Sequence, residues 1–357
     1  MKNNNTLNVA LIGCGRISKR HSELLGNNQI KGAKLVAVCD IVYEKAEKIG
    51  EQFNVQSYID MDDMMNKEQV DVAVVLTPSG LHSEHVINLS KYGKDIVVEK
   101  PMALTLDDAD AMIESCDHYG CRLFIVKQNR FNVPVIKLRE AYQAGRFGKL
   151  ILGTVRVRWA RHQSYYDQDA WRGTWEMDGG VLTNQASHHV DMLEWMMGDV
   201  DSVFAITKTA LADIEVEDTA VVTLKFKNGA LGVIEATTAT RPFDLEGSIS
   251  ILGEKGNVVI GGFAVNQMSS WAFDKIHDGD DQVLKKYSVN PPNVYGFGHQ
   301  AYYEHVVNCI SNGGQNLIDG LQGRKTVKLI SAIYESAETG KEVFLRFTPK
   351  KLKLGQK

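Results

Sequence analysis

Apolar positions fall in short unbroken blocks through the first third of the chain, and each block is followed by a stretch with helical spacing. The blocks at residues 8–12, 34–40, 71–76, 95–98 and 122–126 predict strands, and 18–25, 43–53, 81–91 and 106–118 predict helices between them. Strands that are apolar at every position are buried on both faces, as in a parallel sheet wrapped by helices. From about Gln128 the pattern changes. A helix over 133–144 leads into a long strand, 149–159, with basic residues at alternate positions, and further strands are expected at 201–211, 219–226, 230–238, 247–252 and 257–260. Lys227-Asn228-Gly229 joins two of them, and its Asn-Gly pair suits the mirror-image turn of a hairpin. Helical spacing returns over 182–196, 298–311 and 321–338, while 290–298, with Pro291-Pro292, Gly296 and Gly298, reads as a loop. The expected fold class is α/β: a doubly wound parallel sheet over 1–127, then an α+β domain with a large, mostly antiparallel open sheet over 128–357.

Composition narrows the function without naming it. A chain of 357 residues, 44% hydrophobic, can build a core in each of two domains. A net charge of −4 argues against nucleic acid, and the basic run Lys350-Lys351-Leu352-Lys353 is more simply a solvated end. No apolar stretch reaches the ~18 residues needed to span a bilayer, so no membrane partner is expected, and residues 1–8 lack the apolar core of a signal peptide. Cys14, Cys39, Cys116, Cys121 and Cys309 show no metal or disulfide spacing. Reduced thiols in the cytoplasm are the plain reading, with no metal site.

The first strand ends in Gly13-Cys14-Gly15-Arg16-Ile17-Ser18, which opens a helix, and the second ends on Asp40. Gly13 suits a tight turn, Gly15 lets the backbone approach a pyrophosphate, and the helix N-terminus favours that anion. Ser18 stands where the third glycine usually does and is small enough for close packing. Asp40 would accept hydrogen bonds from a ribose diol and repel a 2′-phosphate, which selects NAD over NADP.

Glu99-Lys100-Pro101 follows the strand at 95–98, on the side of the sheet where ligands gather. There the Lys100 ammonium could serve a substrate hydroxyl; a surface lysine before a turn proline explains it equally well. Asn184, His188 and Asp191, at i, i+4 and i+7, would share one face of a single helix. Asp191 would orient His188 for proton exchange with an alcohol, although a histidine satisfied in packing fits the same spacing. Leu76-Thr77-Pro78-Ser79-Gly80-Leu81-His82 would line the cofactor groove or simply turn into a helix. Gln128-Asn129-Arg130-Phe131 would bind ligand or cap the crossover. Arg156, Arg158, Arg161 and Arg172, with Trp159, Tyr165, Tyr166, Trp171 and Trp175 nearby, suit a carboxylate or phosphate and a flat ring. A solvated strand face with a role in oligomer contacts competes with that reading.

Taken together, Gly13-Cys14-Gly15-Arg16-Ile17-Ser18, Thr77-Pro78 with His82, Glu99-Lys100-Pro101 and Gly179-Gly180…His188…Asp191 resemble the glucose-fructose oxidoreductase, inositol dehydrogenase and rhizopine-catabolism family of sugar dehydrogenases. The resemblance spans Leu7 to about Phe347 and implies catalytic roles for Lys100 and His188. It implies cofactor contacts from Gly13, Gly15, Arg16, Ile17, Asp40, Thr77, Pro78, His82, Glu99, Lys100 and Gln128, and a cis bond before Pro101. Substrate contacts are expected from Lys100, Asn129, Arg158, Arg161, Tyr166, Arg172, Asn184 and His188. Many members carry an acid where this chain has Asn184, so substrate hydrogen bonding fits that position better than proton relay. The arginine and aromatic stretch is similar to NAD-dependent dehydrogenases that oxidise carbon 3 of UDP-N-acetylglucosaminuronic acid in bacterial surface-polysaccharide pathways, which implies a nucleotide-sugar substrate and a homotetramer. A polyol or aldose dehydrogenase, with structural arginines, is the alternative; a non-catalytic NAD-dependent regulator would have no need of Lys100 and His188.

Overall fold

The computed structural model describes residues 6–288, 297–346 and 352–355. Most of the loop expected at 290–298, and Lys350 and Lys351 of the basic run, lie outside the described residues. The chain divides into two compact units, Met1–Lys127 with His299–Lys325, and Gln128–Gly298 with Thr326–Lys357. The sequence reading leaves 299–325 in the second part. The structure puts this segment with the first because it covers the sheet's open edge: Ile125 N donates to Ile318 O at 2.8 Å, and Lys127 Nζ to Gln322 O at 2.9 Å.

The first unit holds six parallel strands, β1 (Leu7–Ile12), β2 (Ala33–Cys39), β3 (Gln56–Tyr58), β4 (Val72–Val75), β5 (Asp95–Val98) and β6 (Leu123–Ile125), in the order β3-β2-β1-β4-β5-β6. Helices α1 (Ser18–Gly26), α2 (Tyr43–Phe53), α3 (Met61–Lys67), α4 (His82–Ser90) and α5 (Leu106–Tyr119) connect them. Val72, Ala73, Val74 and Val75 are all essentially inaccessible, as a strand covered on both faces must be. The reversal of strand order between β1 and β4 leaves a crevice beyond their carboxyl ends, where dinucleotides bind in such sheets. Strand β3 and helix α3 had no signal in the apolar pattern, since Gln56-Ser57-Tyr58 is not an apolar block and α3 is short and largely polar.

The second unit is built on eight strands, β7 (Leu150–Arg158), β8 (Val200–Lys208), β9 (Thr219–Phe226), β10 (Leu231–Thr237), β11 (Glu246–Gly253), β12 (Gly256–Gly261), β13 (Gln267–Phe273) and β14 (Val343–Phe344). Their order is β13-β12-β11-β7-β10-β9-β8-β14, antiparallel throughout except for the parallel pair β7–β10. Helices α6 (Val133–Gln143), α7 (Gln163–Tyr166), α8 (Ser187–Met197) and α9 (Val283–Lys286) lie in this unit, and α10 (Gly298–Asn312) and α11 (Gly320–Thr339) complete the chain. On β7, Val155 and Val157 are buried on the face packed against α8, while Arg156 and Arg158 stand on the other face. The β9–β10 hairpin forms where expected, with a different turn. Only Gly229 has a positive φ (+86°), and the mirror-image turn needs two such residues.

Candidate active site

In the first unit the glycine turn is shaped by close backbone approach. A Cβ on Gly13, whose φ is +97°, would stand 2.8 Å from the carbonyl of Leu76 at the end of β4, so only glycine fits. A Cβ on Gly15 would meet nothing within 4 Å, and the Ser18 hydroxyl donates to Gly15 O at 2.5 Å. Arg16 and Ile17 complete the turn into α1. Half-buried Asp40 ends β2; its Oδ2 accepts from Cys14 N at 2.7 Å and its Oδ1 from Val42 N at 2.9 Å. Each carboxylate oxygen has a second lone pair to offer a ligand, so the acid that braces the turn can also hold a diol. Burial pushes the thiols of Cys14 and Cys39 beside it up to about 12, so both are inert.

The loops after β4 and β5 are tied together beside this turn. The imidazole of His82, at the start of α4, lies 2.9 Å from Thr77 O and 2.7 Å from Pro101 O. Burial draws this ring toward its neutral form, while the two carbonyl acceptors pull the other way. His82 therefore acts on the backbone of Thr77-Pro78 and of the lysine loop. Lys100 is half-buried and the Lys100–Pro101 peptide is cis. The Glu99 carboxylate points inward, where its Oε2 accepts from Lys100 N at 2.9 Å and its Oε1 lies 3.1 Å from His21 Nε2.

In the second unit the expected continuous helix is interrupted. Val181–Gln185 forms a π-helical turn, and α8 begins only at Ser187. Asn184 therefore does not share a helical register with His188, which sits in the first turn of α8 and is 8% exposed. Such turns recur at functional sites because they re-aim side chains. Asp191, read from the sequence as a partner for His188, receives a buried arginine fork. Arg130 Nε and Nη2 reach its two oxygens at 2.7 Å each, and Thr326 Oγ1 adds a third contact at 3.0 Å. This pair pins Gln128–Phe131, a single 3-10 turn, to the helix that carries His188. Within that turn Gln128, Asn129 and Arg130 are buried, and the side-chain oxygen of Gln128 has no hydrogen-bond partner among the described residues. The neighbouring His189 is packed against Trp159, and burial lowers it to about 3, so it stays neutral.

Arg161 and Arg172 converge on Tyr165. Arg172 Nη1 donates to the Tyr165 oxygen at 3.0 Å, and both guanidinium carbons lie over its ring, at 5.5 and 4.9 Å. Gln185 joins them to the π turn: its Oε1 accepts from Arg161 Nε at 3.2 Å, and its Nε2 donates to Tyr165 at 3.0 Å and to Asn184 Oδ1 at 2.7 Å. Asn184 in turn donates to Asp178, whose other oxygen accepts from Gly173 N at 2.9 Å. Tyr166 stands at the edge, its hydroxyl 3.0 Å from Thr238. Arg158 is a correction to the sequence reading. Its fork is filled by Glu235, at 2.6 and 2.8 Å, and by Glu246 at 3.1 Å, on the sheet face away from α8 and His188. Gln185 and Asp178 went unnamed in the sequence reading, although each adjoins a residue that was quoted, Asn184 and Gly179.

A doubly wound dinucleotide-binding unit, joined to a sheet unit that presents a histidine, an amide and two arginines, defines a nicotinamide-dependent oxidoreductase. The chain belongs to the GFO/IDH/MocA oxidoreductase family: residues 7–127 match its NAD-binding Rossmann fold and residues 139–345 its C-terminal alpha/beta domain. NAD is accordingly its cofactor, and Gly13, Gly15 and Asp40 fit that group. The WlbA dehydrogenase of Bordetella pertussis, solved with NADH and UDP-GlcNAcA, is 42% identical with a TM-score of 0.91, over 96% of this chain and 98% of that one. The WlbA dehydrogenase of Chromobacterium violaceum, solved with the same two ligands, is 40% identical with a TM-score of 0.90, over 96% and 97%. Myo-inositol 2-dehydrogenase of Thermotoga maritima is 32% identical over 71% of this chain and 74% of that protein.

Proposed function

We propose that the protein oxidises carbon 3 of UDP-N-acetylglucosaminuronic acid to the 3-keto sugar, using NAD⁺. The observation that carries this reading is the pair of arginines, Arg161 and Arg172, wired through Tyr165 and Gln185 to the turn that precedes His188. Two cations held around one ring suit an acidic substrate, with Arg161 also 3.0 Å from Asp244 and Arg172 2.9 Å from Asp169. The WlbA dehydrogenases, with UDP-GlcNAcA bound, support it from outside the chain.

In the proposed mechanism Lys100 and His188 both serve the reacting hydroxyl: one takes its proton while the other holds the oxygen by a hydrogen bond. Bound NAD⁺ supplies the acceptor for the hydride that leaves the same carbon. Asn184 orients a neighbouring hydroxyl or acetamido group, and Asn129 and Tyr166 line the same substrate. Arg161 and Arg172 hold its acidic portion. Thr77 and Pro78 would line the cofactor groove, the glycine turn through Arg16 and Ile17 would hold the pyrophosphate, and Gln128 would add a cofactor contact. His82 and Glu99 act on the loop backbones. We further propose a homotetramer assembled through the open face of the large sheet, where Ile151, Phe204, Ile206, Val221 and Leu231 are exposed.

The test is turnover with NAD⁺ against a panel of UDP-sugars, uronic acids and inositols, followed by NADH absorbance and by product mass. Product from UDP-N-acetylglucosaminuronic acid is expected; turnover of inositol with no UDP-sugar would decide for a polyol dehydrogenase. Acid–base assistance is worth ~10²–10⁴-fold, so Lys100→Met and His188→Ala should each lower kcat by at least about 100-fold while NADH still binds. Unchanged turnover in both would remove the catalytic assignment.

A further inference from the structure

Behind Lys100 the Glu99 carboxylate is joined to a set of polar groups that the mechanism does not use. His21 of α1, Glu99 after β5, and His299 and Tyr303 of α10 meet inside the first unit, all within 5% exposure. Tyr303 Oη is 2.6 Å from His21 Nδ1, His21 Nε2 is 3.1 Å from Glu99 Oε1, and His299 Nε2 is 3.8 Å from the same oxygen. The second Glu99 oxygen accepts from Lys100 N. We propose that Tyr303, His21 and Glu99 form a buried relay that fixes the backbone of Lys100 and so sets where its ammonium stands. The proposal rests on the reading of Lys100 as a catalytic group.

The hydrogen bonds run in one direction. A carboxylate only accepts, so His21 Nε2–H donates to Glu99, and its Nδ1 is left to accept the Tyr303 O–H. Burial pushes the Tyr303 hydroxyl well above its ordinary value, which keeps the proton there to donate. Burial also works to raise Glu99, but His21 and His299 outweigh it and hold the carboxyl well below its usual range. The anion is therefore retained where only fixed donors can replace water. Its remaining oxygen takes the Lys100 amide, while His82 takes the carbonyl of Pro101. The backbone just before and just after the lysine is thus braced from two helices, by His21 of α1 acting through Glu99 and by His82 of α4. Catalytic groups misplaced by an ångström lose up to about 10²-fold, so such bracing has a rate consequence.

Tyr303, His21 and Glu99 are positioning residues, and the test must separate placement from mere folding. Full-length Tyr303→Phe, His21→Leu, His21→Gln and Lys100→Met would be assayed with NAD⁺ and UDP-N-acetylglucosaminuronic acid, alongside NADH binding by fluorescence and thermal unfolding. Gln keeps both functions, an N–H for Glu99 and an oxygen for Tyr303; Leu keeps neither. His21→Leu is expected to lose roughly 10–100-fold in kcat with the sugar KM and NADH affinity within about twofold, and His21→Gln to recover most of it. Tyr303→Phe, which removes one hydroxyl, should lower kcat by several fold at unchanged NADH affinity and guards against a misfolded His21→Leu. Normal kcat in folded Tyr303→Phe and His21→Leu, with Lys100→Met inactive, would overturn the relay and leave the catalytic reading standing. A fully active Lys100→Met would overturn both. One equivalent of tightly bound zinc per chain would also overturn it, since His21, Glu99 and His299 would then be ligands.

Discussion

Single residues here are set by what they are buried against, and Glu217 shows how far that can go. Its Oε1 accepts from Leu182 N at 3.0 Å and from the Tyr334 hydroxyl at 2.9 Å, directly beneath the π turn that carries Asn184. Gly180 has to be glycine because a Cβ would collide with the other oxygen, which has no hydrogen-bond partner among the described residues. Burial raises this carboxyl to about 7, against 4.5 for an ordinary glutamate. The folded chain therefore holds the proton through a pH range in which the unfolded chain has lost it. Its contribution to stability is largest below about pH 4.5 and declines as pH rises to 7, by at most roughly 3 kcal/mol. Glu217→Gln keeps both acceptor contacts and removes the titration. Its melting temperature should exceed wild type by several degrees at pH 8, with the gap closing toward pH 5. A gap that does not change with pH would show that Glu217 stays ionised throughout. Nothing in the apolar pattern signalled this residue, because a buried acid reads as a surface one until its surroundings are known.

At the scale of elements, periodicity was a good guide to long pieces and a poor one to junctions. Unbroken apolar blocks gave β1, β2, β4, β5 and β6 within a residue or two, since burial on both faces leaves no other composition. The helix expected over 182–196 failed at its start. Gly179-Gly180 and the Asp178 and Glu217 carboxylates draw the first turn into π geometry, and that contest is tertiary, so no local spacing reports it. The arginines divide in a similar way. Alternation correctly placed Arg156 and Arg158 on one face, but not which face; Glu235 and Glu246, about 80–90 residues later, are what claim them. The glycine turn was the most legible element, down to the acid at the end of β2. There Asp40 does two things at once, since it accepts from Cys14 N and remains available to a ribose. Asp40→Ala should therefore cut the preference for NAD over NADP by about tenfold or more, and also raise the KM for both cofactors by loosening the turn. An unaltered NAD/NADP ratio of kcat/KM would reject the first role, and an unaltered NADP KM the second.

At the scale of the whole molecule, the large sheet has one face packed on α8 and one whose apolar residues stand exposed among the described residues. Its cross-strand rows carry apolar and charged residues together: Ile206 pairs with Val221, Val221 with Glu235, and Glu235 with Arg156. Ile206 is 65% exposed and Val221 51%, on that second face. Monomers rarely leave such patches in water. The face also carries charges of both signs side by side, Arg156 and Arg158 with Glu235 and Glu246, which suits a contact between two copies about a twofold axis. The sequence hinted at this only as a competing use for the arginines, since edge and face cannot be told apart before strand order is known. Ile206→Asp with Val221→Asp would place charges at the centre of the contact, where an unpaired buried charge costs several kcal/mol. Light scattering after gel filtration should show four copies for the wild type and fewer for the variant, with each chain still folded by circular dichroism. A wild type that runs as one copy, or a double variant that stays tetrameric, would mean that this face is not where the chains meet.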